Sequence, residues 1–104
     1  MKLIVHKIRL RTGADPKTFE DWVLNADYAA CPRLPSVAAF SVQRADPGSG
    51  FDYFEVISVR SQADFEADMR GADFAGLVAS FSEMAEVIEE IGGARLGDGY
   101  RQGR

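Results

Sequence analysis

The chain has 104 residues, 46% of them apolar, with a net charge of −4. That size suits one domain burying about two-thirds of the surface its unfolded chain exposes, and the composition excludes disorder. The acidic balance argues against nucleic acid or an anionic membrane as the main partner.

No apolar run approaches the ~20 residues of a membrane span. The single cysteine, Cys31, excludes an internal disulfide, and one His with one Cys form no cluster of zinc spacing. The opening residues enter a strand pattern without a signal-peptide layout, so a cytoplasmic protein is expected.

Lys2 to Arg11 reads as a first strand. Period-2 alternation puts Ile4, His6, Ile8 and Leu10 on one face. His6, the only histidine, therefore stands where an aliphatic side chain is expected. Burial would lower its pKa and leave a neutral base near pH 7. After the turn Thr12-Gly13-Ala14, Asp15 is a good N-cap and Pro16 suits the first helical position. Phe19, Trp22, Val23, Ala26 and Ala30 make one apolar stripe, and Cys31-Pro32 ends the helix.

Val37 to Arg44 and Phe51 to Arg60 read as strands two and three, an antiparallel hairpin across the turn Asp46-Pro47-Gly48-Ser49-Gly50. Ser61 caps a second helix, with Asp64 in a near capping-box position. Gly71 breaks or bends it, and Phe74, Leu77, Val78 and Phe81 resume the stripe. Ser82 to Ile91 fits helix and strand locally. A strand is expected because strand–helix–strand–strand–helix needs a fourth strand to complete its sheet. Gly92-Gly93 is expected to end or bulge that strand.

The resulting fold is α+β: a ferredoxin-like, four-stranded antiparallel sheet with two helices on one face. Residues 1–96 form the domain and 97–104 a polar tail. The other face of strand one carries Leu3, Val5, Lys7 and Arg9, and both faces of strand three are partly apolar. Such an open apolar face points to a homodimer packed sheet to sheet as an α+β barrel. The alternative is a monomer with scattered exposed apolar side chains.

The opening Met1-Lys2-Leu3-Ile4-Val5-His6-Lys7-Ile8-Arg9-Leu10 and the segment Asp21-Trp22-Val23-Leu24-Asn25-Ala26-Asp27-Tyr28-Ala29-Ala30-Cys31 resemble the RedY-like, or HapK, family. Leu34-Pro35-Ser36-Val37, Glu89-Glu90-Ile91-Gly92-Gly93 and Gly97-Asp98-Gly99-Tyr100 fit it as well. The resemblance implies a dimeric α+β barrel, an architecture shared with small oxygenases, decarboxylases and cyclases of secondary metabolism. It also implies a link to prodiginine pigments and bisindole alkaloids, whose reactive nitrogen-bearing aromatic intermediates are handled without a cofactor.

His6 is the first candidate catalytic group, against the alternative of a core histidine satisfied by its neighbours. Asp27, at the edge of the first helix's stripe, is its expected partner, orienting the ring and stabilising imidazolium. A solvated helix-end residue is the alternative. Trp22 and Phe40 suit core or pocket wall better than chemical groups, and an aromatic wall would hold a flat indole or pyrrole by stacking. Tyr28 lies opposite the stripe on an ideal helix and reaches a pocket only if the helix unwinds first. Glu55 is a further candidate contact, and Glu89 a runner-up read as exposed at an edge or dimer rim. Cys31, after a helix and before Pro32, reads as a small buried hydrophobe.

The expected function is a cofactor-independent enzyme of alkaloid or pigment biosynthesis. It would bind a reactive tryptophan-derived or pyrrole-type imine or enamine and direct it to one product by acid–base catalysis. No metal or cofactor is expected. The alternatives are a non-catalytic, chaperone-like binding protein of the same pathway and a cofactor-free oxygenase.

Overall fold

The structure, a computed structural model, describes residues 1–103. Strand β1 (Lys2–Leu10) is followed by helix α1 (Pro16–Trp22), strands β2 (Val37–Arg44) and β3 (Tyr53–Val59), helices α2 (Gln62–Met69) and α3 (Ala72–Met84), and strand β4 (Ala85–Ala94). The strands form one antiparallel sheet in the order β2-β3-β1-β4. The helices cover one face of this ferredoxin-like α+β fold.

The expected start signals operate. The Asp15 carboxylate accepts from the Thr18 backbone N–H at 3.2 Å, with Pro16 opening α1. Ser61 Oγ accepts from the Asp64 N–H at 3.1 Å. In the β2–β3 turn, Gly48 and Gly50 take φ of 85° and 88°, values that need residues without a Cβ. The second helix is broken into two at Gly71, whose extended ψ of 163° caps α3.

The first helix does not run regularly to Cys31. Val23–Asp27 forms a π-turn in which the Tyr28 N–H bonds to Val23 O, and one α-turn (Tyr28–Ala30) and a 3-10 turn (Cys31–Arg33) follow. A π-turn inserts an extra residue and rotates the side chains beyond it. Tyr28, opposite the stripe on an ideal helix, thereby packs toward β2, where its hydroxyl oxygen accepts from the Val42 N–H at 2.9 Å.

Strand β4 differs from expectation at both ends. It begins at Ala85 because Ser82–Met84 continues α3, and it runs through Gly92-Gly93 to Ala94. Its irregularity lies earlier. Lys7 pairs with Glu89 and Ile8 with Val87, so Ile88 is the extra residue of a bulge.

The core forms two clusters. Ile8, Phe19, Val23, Tyr53 and Ala85 make one, and Ile4, Ile57, Val59 and Phe65 the other. On the helix-covered face, the row that contains His6 lies between Ile4 and Ile8, and hence between these clusters. The opposite face carries Leu3, Val5, Phe54, Val56 and Ile91, none of them buried.

Candidate active site

Register assembles the site. His6 on β1 stands directly opposite Glu55 on β3 and Glu90 on β4. Its Nδ1 lies 2.6 Å from Glu55 Oε2, and its Nε2 lies 2.7 Å from Glu90 Oε1. Two carboxylates accepting from one ring need both nitrogens protonated, which is the imidazolium form. Burial pulls the His6 pKa down, but the hydrogen bonds of Glu55 and then Glu90 outweigh it and hold the value above 6.5. The expected neutral base is thus corrected: charge pairing overcomes desolvation.

The expected partner is corrected too. Asp27 is not among the hydrogen-bond partners of His6, whose two nitrogens are taken by the glutamates. Asp27 lines the same cleft, and burial, reinforced by repulsion from Glu55, pushes its carboxyl up to about 7. It can therefore exchange a proton near neutrality, while Glu55 and Glu90 orient the ring.

The cleft between sheet and helices has a volume of about 540 Å³. His6, Glu55 and Glu90 lie on the sheet side and Asp27 on the α1 side. Trp22, Phe40, Phe65, Phe74 and Phe81 supply aromatic wall. Such a cleft, apolar with a few convergent polar groups, is what small-molecule sites look like.

Of the residues singled out in the sequence, His6, Asp27, Trp22, Phe40 and Glu55 meet along this cleft. Tyr28 does not. It lines a separate depression with Val42 and Arg44, and its hydroxyl is engaged by β2. Glu89 turns away and pairs with Lys7 at 3.0 Å. Cys31 is half-buried at the cleft, where burial and then Asp27 push its thiol pKa up, so it is not an activated nucleophile. Glu90 was missed by sequence reasoning, because the bulge at Ile88 changes which β4 residues face the helices.

The family described as REDY-like protein HapK matches residues 2–96. The chain belongs to this REDY-like HapK family. HapK from Hahella chejuensis is 50% identical, with a TM-score of 0.91 over 99% of this chain and 100% of that one. Beyond the REDY-like HapK family the likeness is one of fold. SnoaB, a cofactor-independent oxygenase from Streptomyces nogalater, is 15% identical with a TM-score of 0.74, covering 93% of this chain and 95% of its own. A dimeric ferredoxin-like protein of unknown function from Thermobifida fusca is 18% identical with a TM-score of 0.64, covering 88% of this chain and 84% of its own. No curated protein matches the sequence. Among the described residues no helix is long and apolar enough to cross a membrane.

Proposed function

We propose that this member of the REDY-like HapK family is a cofactor-independent enzyme of alkaloid or pigment biosynthesis. Its substrate is a reactive aromatic imine or enamine, tryptophan-derived (bisindole) or pyrrole-type. The observation that carries this reading is the placement of His6, clamped by Glu55 and Glu90, beside Asp27 in an aromatic cleft.

An imine-to-enamine shift requires one proton to reach nitrogen and one to leave the carbon bonded to the C=N carbon. His6, as imidazolium, is the donor. Asp27, poised near neutrality, is the acceptor. Glu55 and Glu90 set the ring orientation, and the apolar wall limits the water that would hydrolyse an imine.

The working unit is a homodimer in which the open sheet faces of two copies meet. The apolar side chains on that face support this, and the Thermobifida fusca protein of the same fold is described as dimeric.

The test is incubation with indolic and pyrrolic imine precursors followed by product analysis, with His6→Ala as comparison. The expected result is a product distribution altered by the wild type and restored to the spontaneous one by His6→Ala. An unchanged distribution with tight precursor binding would make the protein a non-catalytic carrier. Oxygen consumption coupled to product would assign it instead to cofactor-free oxygenation, the activity of SnoaB.

A further inference from the structure

The charged groups around the cleft are unbalanced. His6 and Arg11 are its cationic side chains, and Asp27, Glu55, Glu86 and Glu90 its carboxyl groups. Arg11 is already committed. It donates to Ser82 O at 2.6 Å and reaches Glu86 at 3.5 Å, at the rim. His6 neutralises one of the two glutamates that grip it, which leaves the other and Asp27 without a cation among the described residues. Asp27 and Glu55 line the same cleft from its two sides, and the Glu55 charge adds to burial in holding the Asp27 carboxyl above its ordinary value. Placing carboxyl groups together beside an apolar wall is costly unless one takes up a proton, as Asp27 does below about pH 7, or a positive charge arrives with the ligand. The aromatic rings of Trp22 and Phe81, 6.4 Å apart between centroids, add faces that attract cations.

We infer that the cleft takes a planar aromatic ligand bearing one positive charge, an iminium or protonated amine, with that charge held between Asp27 and Glu55. The inference rests on the proposed function and narrows its substrate class. An imine protonated by His6 becomes such an iminium and gains the carboxylates as counter-ions, while an anionic ligand meets repulsion.

The test is calorimetric titration of the full chain at pH 8 with three ligands sharing one ring system: 1-naphthylmethylamine, 1-naphthylmethanol and 1-naphthoate. The amine is expected to bind about tenfold tighter than the alcohol, with naphthoate weakest. Asp27→Asn and Glu55→Gln each reduce the amine's advantage and leave alcohol binding in place, which also reports an intact cleft. The advantage shrinks at pH 6, where Asp27 is protonated; His6, Arg11, Cys31, Glu55, Glu86 and Glu90 are the other titratable groups facing the cleft.

Equal binding of amine and alcohol, tighter binding of naphthoate, an advantage unmoved in both variants, or no binding of any of the three overturns the inference. Loss of the amine preference with product formation intact would overturn the charge assignment alone. A retained preference without product formation would overturn the enzymatic reading alone.

Discussion

His6 and Glu55 occupy directly opposed positions of β1 and β3, with 2.6 Å between Nδ1 and Oε2. Glu55 is the better shielded of the two gripping carboxylates: its side chain is 13% exposed against 67% for Glu90. The same hydrogen bond is worth more where water competes less. Glu55→Gln is therefore expected to lower the His6 titration midpoint more than Glu90→Gln, as followed by the ring-proton resonance in NMR. In the double variant burial alone remains, and the midpoint is expected below 6.5. Equal effects from the two single changes would contradict this ranking.

Asp27 gives a stability prediction with a definite sign. Its pKa rises from 3.8 to about 7 on folding, so the folded state favours the protonated acid. That contribution is complete below pH 3.8 and is lost as pH rises toward 7. His6, also raised, acts in the same direction: its contribution is present below 6.5 and lost as pH passes its folded value. Asp27→Asn is expected to stabilise the fold at pH 8, by on the order of 2 kcal/mol after solvent screening, and to change little at pH 4. Chemical denaturation at the two pH values measures it. A destabilised variant at pH 8 would count against a buried, reluctant carboxylate.

Tyr28 has a structural part in place of the expected ligand contact. Its hydroxyl accepts from the Val42 N–H at 2.9 Å and ties the π-turn segment to β2. Tyr28→Phe leaves that part-buried donor without its partner, at a cost of about 1–2 kcal/mol. Urea midpoints of the two proteins report this directly, and coincident curves would remove Tyr28 from the account of stability.

The open sheet face makes a prediction about assembly. Val56 lies at its centre, paired with Val5 on β1 and Ser41 on β2. The wild type is expected to sediment as a dimer of the 11.4 kDa chain. Val56→Asp places a charge in that interface, and a folded monomer is the expected outcome. A monomeric wild type would contradict the dimer, and a dimer indifferent to Val56→Asp would require a different interface.

Much of this was legible in the residues. The alternation of β1 placed His6 on the helix-covered face, and Asp15, Ser61 and Gly71 marked the helix limits where the structure has them. Asp27 was legible as a stripe-edge residue of the first helix. The hydrogen-bonding of His6 was not. Reading β4 as a regular strand puts Val87, Glu89 and Ile91 on one face, but the bulge at Ile88 separates Val87 from the other two and turns Glu90 toward His6. A bulge is fixed by pairing with β1, so it leaves no local signal in β4. The π-turn at Val23–Asp27 is hidden in the same way, since its residues also fit a regular helix. The shift from neutral base to imidazolium follows from that one missed glutamate and from Glu55, whose opposition to His6 is a matter of strand order.

The protonation state of His6 in the folded protein is the point on which the chemistry turns. Nitrogen-15 NMR of the imidazole at pH 6.5 reads it directly, since a free ring is half-protonated there. The account predicts that most molecules carry protons on both Nδ1 and Nε2 at that pH, with both signals shifting in Glu55→Gln. A ring that is mostly a neutral tautomer at pH 6.5 would contradict it.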